Sequence, residues 1–369
     1  DCKRSCSKYS LRLYQYLCQM KKILFAFSIF INTISYSQDT LTKVLISGYA
    51  ETYYCYDINQ PDDHNRPGFI YSHNRHNEVN LNLGYLKASL SRQKTRANFA
   101  IMAGTYSNAN LAAEQGVLKN IFEANIGIKI SKSKNIWVDA GIFPSHIGFE
   151  SAISRDCWNL TRSILADNSP YYEAGAKITF ISKNEKLQIS GLLLNGWQRI
   201  QRIDNNNTPA FGHQLTYKPS GKITINSSSF IGSDSPDSLR KMRYFHNFYA
   251  QIQLTKKTGI IAGFDFGMQQ QFKKSDKYHT WYSPVLIIRQ QVRPNTFIAL
   301  RGEYYSDINQ VIIANGSPFE CIGYSINIDH LIAENILFRI EARGLTNQEN
   351  YFTKNDKAVR ENYFFTTSL

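Results

Sequence analysis

The chain has 369 residues, 43% of them hydrophobic and 13% aromatic, with ten Pro and a formal net charge of +13. That is enough for one large domain or two ordinary ones. The Lys and Arg residues are scattered and no nucleic-acid-binding motif accompanies them, so the charge points to anionic solutes or a membrane surface and nucleic acid is not an expected partner.

In chain order, Met20 is followed by Lys21 and Lys22, the apolar run ILFAFSIFI (23–31) and a segment ending Ser-Tyr-Ser before Gln38. A short basic region, an apolar core and small residues at minus one and minus three form a secretory signal peptide with cleavage expected after Ser37. The core is too short to span a bilayer, which needs roughly 20 apolar residues. Residues 1–19 are expected to be an upstream extension, 20–37 the signal peptide and 38–369 the mature domain. From residue 38 onward the chain carries 36 Lys and Arg against 28 Asp and Glu, a net charge of +8. It keeps Cys55, Cys157 and Cys321. An odd, widely spaced trio is neither a disulfide framework nor a zinc pattern, so free or incidentally paired thiols are expected.

The mature chain alternates with period two. In CIGYSINIDH, Ile322, Tyr324, Ile326 and Ile328 alternate with Gly323, Ser325, Asn327 and Asp329; in NILFRIEARG, Ile336, Phe338, Ile340 and Ala342 alternate with Leu337, Arg339, Glu341 and Arg343. The segments around Phe248 and Phe264 behave alike. From the first strand, 44–56, long gaps (57–75, 107–120, 144–169, 198–210, 232–241, 271–277, 306–318, 346–357) alternate with short ones (92–95, 131–135, 182–185, 219–221, 255–258, 293–295, 331–334). Eight long and seven short connections in strict alternation predict an all-β, transmembrane, up-and-down antiparallel β-barrel of about 16 strands, within a range of 14 to 18. Apolar side chains then face lipid and polar ones the lumen. A barrel of this size leaves an aqueous channel. Tyr49, Tyr53, Tyr54, Tyr171, Tyr172, Tyr304 and Tyr305 near strand ends suggest aromatic girdles. The final strand, 358–369, ends on Leu369 instead of the aromatic residue usual for such barrels, and the expectation is a strand cut short by a few residues.

The first strand around ISGYAETYY (46–54), the segment GIFPSHIGFE (141–150), WNLTRS (158–163) and SPYYEAGAKI (169–178) resemble the β-barrel porins of the OmpL-like type. The sharp part lies within 141–177: Gly148 and Glu150, Thr161 to Ser163, then Pro170 with Gly175. The resemblance implies an outer-membrane porin of a Gram-negative bacterium, a passive diffusion channel for small hydrophilic solutes or ions.

By this topology residues 144–169 form the third and longest of the long loops, a place where such loops fold inward. Glu150, Arg155, Asp156 and Arg162 then line a constriction, or else are solvated charges outside the barrel. Charges at a constriction set ion preference. The C-terminal wall offers lumen-facing Arg289, Arg301, Arg339 and Arg343 with Glu303 and Glu341 between them. Opposed rows favour anions mildly, whereas the plainer reading is cross-strand pairs Arg301/Glu303 and Arg339/Glu341. His64, His73 and His76 beside Asp62 and Asp63 could bind metal, but no element fixes them. His246 and His279 lie near Ser residues without a nucleophile motif. No cofactor, metal or catalytic residue is expected; the alternatives to a porin are an adhesin or structural barrel and, less favoured, a barrel hydrolase. Expected partners are outer-membrane lipid and small hydrophilic solutes or anions, with a homo-oligomer left open.

Overall fold

A computed structural model describes residues 44–369. The expected signal peptide and upstream extension lie outside the described residues.

Sixteen antiparallel strands close into a barrel. They are β1 (Val44–Asp57), β2 (Val79–Ser91), β3 (Thr95–Ala103), β4 (Ile121–Lys129), β5 (Asn135–Pro144), β6 (Tyr172–Ile181), β7 (Leu187–Leu194) and β8 (Ala210–Ser220). There follow β9 (Ile223–Gly232), β10 (Arg243–Gln253), β11 (Thr258–Gln270), β12 (Tyr278–Arg293), β13 (Thr296–Asp307), β14 (Phe319–Ala333), β15 (Ile336–Asn347) and, last, β18 (Glu361–Ser368). Every strand pairs with its sequence neighbour in the barrel, and β18 closes the circle on β1 with Tyr53 opposite Ser368 and Asp57 opposite Phe364. All eight long connections therefore leave one end of the barrel and all seven short turns the other.

The period-two reading places the faces correctly. Ile322, Tyr324, Ile326 and Ile328 are exposed on the outer wall, while Ser325, Asn327 and Asp329 are buried inside. In β11 Phe264 is exposed and Asp265 buried. An exposed belt of Ile, Leu and Phe around a buried polar interior inverts the soluble arrangement and matches a wall in hydrocarbon.

Two expectations need correction. The last strand begins at Glu361 and not at residue 358, because β16 (Phe352–Lys354) and β17 (Lys357–Val359) form a separate hairpin in the final loop. Its turn residues Asn355 and Asp356 both have positive φ, 49° and 59°, as a two-residue hairpin turn requires. The tyrosine girdle is also only partial: Tyr53, Tyr171, Tyr172 and Tyr305 are buried inside the barrel. Adjacent tyrosines on a strand point to opposite faces, which sends Tyr53 and Tyr305 inward; Tyr171 precedes β6 in the inward loop, so it and Tyr172 are both buried.

The interior holds two apolar clusters. One, with Phe69, Phe230, Phe245, Trp281, Tyr305, Phe319, Phe352 and Phe364, packs loops across the loop end of the barrel. The other, with Leu83, Met102, Tyr106, Leu165, Tyr171, Ile261 and Ile287, packs the third long loop against the inner wall. Directly paired Gly141 and Gly175, in β5 and β6, flank that loop and have φ of 127° and 154°. A Cβ there would lie 2.2 Å from the Ala124 carbonyl oxygen and 2.0 Å from that of Leu193, so only glycine fits.

Candidate functional site

The third long loop, residues 145–171, enters the lumen and crosses to the far wall. Its descending limb runs along β8–β11. His146 bonds Glu173 at 2.7 Å and the Ser229 carbonyl at 2.8 Å, and the Gly148 amide donates to Asn247 Oδ1 at 3.2 Å. Burial opposes charge on His146, but the adjacent Glu173 outweighs it and raises the imidazole pKa. The tip reaches the turn end, where the Arg155 guanidinium donates to the Glu334 carbonyl at 2.6 Å. The ascending limb lies along β13–β15 and ends in a short helix, Ile164–Asp167, capped by Ser163, whose Oγ accepts from the Ala166 amide.

Loop backbone brought into a barrel must find partners, since an unsatisfied buried peptide group costs about 1–3 kcal/mol. The inner wall supplies them as charged side chains. Arg339 clasps Asp329 with two bonds of 2.7 and 3.1 Å and donates to the carbonyls of Ser154 at 2.5 Å and Cys157 at 3.0 Å. Arg301 donates to the Thr161 carbonyl at 2.7 Å and to Glu341 at 3.0 Å, while Glu341 accepts from the Thr161 amide at 2.6 Å. Arg343 bridges the Arg162 carbonyl at 2.8 Å and Glu303 at 2.6 Å; Glu303 also accepts from the Ile164 amide at 2.6 Å. Arg289 reaches Asp329 at 3.3 Å.

Of the plainer pairs, Arg301/Glu303 forms, at 3.2 Å. Arg339/Glu341 does not, because Arg339 takes Asp329 and Glu341 takes Arg301. Every wall residue named from the sequence lies inside the barrel, and all but the half-buried Arg289 are buried beneath the loop.

The loop charges divide in two. Arg162 is buried and knots the loop to itself, donating to the carbonyls of Ser151, Leu160 and Ala152. Glu150 is buried and accepts from the Ser163 amide and hydroxyl, with Arg301 3.9 Å away. Burial pushes the Glu150 carboxyl up despite that neighbour. Arg155 and Asp156 are exposed. Asp167, unnamed in the sequence reading, is buried with the Tyr171 hydroxyl as its partner, and burial pushes it up to about 7.

The loop lies against β8–β15 and also packs on Leu83 of β2 and Met102 of β3, and the inner face it leaves partly open lies within β1–β7. It carries the Lys87/Glu123 pair, the bidentate Arg96/Asp139 pair at 2.6 and 2.5 Å, and half-buried Lys177 over the Phe143 ring. The sequence reading missed these, although all five charges stand on the polar phase of their strands. A cavity of about 340 Å³ lies between this face and the loop.

The other candidates are dispersed. His73 is buried against Glu51 at 3.1 Å, while His64 and His76 stack on each other; no metal-binding cluster occurs among the described residues. His246 meets Ser227 at 3.0 Å on the outer wall. Cys55, Cys157 and Cys321 are free and buried.

Solved porins and other outer-membrane proteins share this architecture. The anion-selective porin from Comamonas acidovorans superposes with a TM-score of 0.59 at 8% identity, over 89% of this chain and 98% of that one. OmpT of Vibrio cholerae in its trimer form gives 0.57 at 8% identity, over 89% and 99%. The outer membrane channel DcaP of Acinetobacter baumannii gives 0.54 at 11%, over 90% and 98%. A search of curated proteins returned no match. The family described as "Putative beta-barrel porin-2, OmpL-like" matches residues 43–369, and the chain belongs to it.

Proposed function

We propose that the protein is a passive diffusion channel in the outer membrane of a Gram-negative bacterium, passing small hydrophilic solutes or ions and preferring anions weakly. The observation that carries this reading is the inward loop, fixed by the arginine row of the far wall and leaving a charged passage along β1–β7. On that side the partly or fully exposed cations Lys87, Arg96, Lys177 and Arg155 stand with the exposed carboxylate Asp156, while Glu123 and Asp139 are buried in their pairs with Lys87 and Arg96. The wall arginines contribute little to selection, since their charge is matched by Glu303, Asp329, Glu341 and Glu150. A homo-oligomer belongs to the same reading, supported by the trimeric form of a fold neighbour.

The test is the reversal potential of purified protein in planar bilayers under a KCl gradient. Weak anion preference is expected, moving toward cations in Lys177→Glu. Clear cation preference in the unmodified protein refutes the selectivity, and absence of conductance refutes the channel.

A further inference from the structure

The cavity beside the loop has more aromatic surface than an ion passage requires. On one side the rings of Tyr49 and Tyr85, directly paired across β1 and β2, stack with centroids 5.8 Å apart, and Tyr85 stacks in turn on Phe122 at 5.0 Å with an interplanar angle of 10°. Phe122 owes its place to a bulge. Ala100 pairs with Glu123 and Ile101 with Ile121, so Phe122 is the extra residue and turns to the lumen side beside Glu123. A β-bulge re-aims a side chain in this way. On the other side Phe149 of the loop meets Tyr249 of β10 edge to face at 5.6 Å. Tyr85, Phe122, Phe149 and Tyr249 all line the cavity and all are half-buried, so each leaves ring surface to solvent inside a hydrophilic passage. Lys87 and Asp156 line the same space, one ammonium and one exposed carboxylate.

Apolar surface with a few convergent polar groups is the make-up of a small-molecule site. A saccharide in pyranose form matches it. Its ring faces are C–H surfaces that lie against aromatic rings, and its hydroxyl rim both donates, to Asp156, and accepts, from Lys87. A linear polyol offers the hydroxyls without the faces, and a simple ion offers neither. We propose that the slot between Phe122/Tyr85 and Phe149/Tyr249 is a saccharide subsite, making the channel selective for sugars. This deepens the diffusion-channel reading and rests on it for the transport step.

The experiment pairs equilibrium binding, by calorimetry on the folded protein in detergent, with sugar-induced current blockade in bilayers, using maltose as probe, sorbitol as the open-chain control and benzoate as the aromatic-anion control. Maltose is expected to bind and to block current while sorbitol does neither, and Phe122→Ala is expected to weaken maltose binding about fivefold or more. Phe149→Ala, on the loop, provides the independent second variant. Equal effects of maltose and sorbitol in a conducting channel overturn the subsite and leave the diffusion channel standing. Preferential binding of benzoate, or maltose binding unchanged in both variants, also overturns it. Maltose binding without conductance supports the subsite and overturns the channel, and the absence of both binding and conductance overturns the two together.

Discussion

Replacing Arg339 by Met separates the barrel from the loop it holds. Arg339 is 2% exposed and makes two kinds of contact: a bidentate pair with Asp329 inside the wall, and bonds to the Ser154 and Cys157 carbonyls and the Ser154 hydroxyl in the loop tip. Met preserves most of the side-chain volume and removes both. Asp329 keeps Asn327 at 2.7 Å and Arg289 at 3.3 Å, so the wall retains partners for its carboxylate. In the loop the Ser154 carbonyl keeps the Cys157 amide at 3.0 Å, whereas the Cys157 carbonyl loses its partner, and orphaning it costs about 1–3 kcal/mol. The latch is therefore weakened by about 1–3 kcal/mol, and every 1.4 kcal/mol is about tenfold in population. The tip is expected to detach at least about fivefold more often, read as faster amide exchange across residues 152–160 and as added current noise with brief high-conductance excursions. Arg339→Met/Asp329→Met removes the carboxylate as well while leaving the loop unlatched, and should exchange like the single variant. Unchanged protection of the tip in both variants, with the barrel folded, would refute the latch.

The face assignment predicts that Phe264→Arg costs roughly 2–4 kcal/mol in urea unfolding from lipid vesicles, since Phe264 faces outward near mid-strand. A neutral result there beside a severe Asp265→Leu would mean that the faces are reversed. Asp167 predicts a pH effect. Its folded pKa of about 7 lies above the ordinary 3.8, so the folded loop holds a proton that the unfolded chain releases. Its contribution is full below about pH 4 and is lost as pH rises through 7. Arg343, Arg162 and Glu150 face the group and set the residual charge balance. Amide protection in residues 163–169, taken relative to the intrinsic rise of exchange with pH, should fall between pH 5 and 8, and Asp167→Asn should flatten that fall; an equal fall in the variant would rule the group out.

Much of the architecture was legible in the sequence because a membrane barrel is governed by rules local in sequence: period two along each strand, and alternating loop length. The site was less so. Arg301 and Arg343 are visible as lumen-facing, but that they donate to Thr161 and Arg162 carbonyls depends on where a loop 140 and more residues earlier crosses the barrel. Glu150 and Arg162 read as constriction charges because their residue types suit one; burial instead puts them to work holding the loop together. Phe122 was hidden by its bulge, since a one-residue slip breaks the alternation on which the face assignment rests. The sequence reading starts the last strand three residues early, at 358, inside the second arm of the Phe352–Val359 hairpin, whose earlier residues it leaves in the gap 346–357.

The loop's position divides the barrel into two kinds of wall. Within β1–β7 the inward Lys87, Arg96 and Lys177 reach solvent, although neighbours such as Glu51, Leu83 and Glu173 are buried. Along β12–β15 an inward residue is enclosed between backbone and loop, so its polar groups have the fixed geometry of a protein interior and tolerate replacement as poorly as packed leucines do. Part of the cylinder is thus open to variation, while the opposite wall serves as an internal scaffold that happens to be written in charged residues.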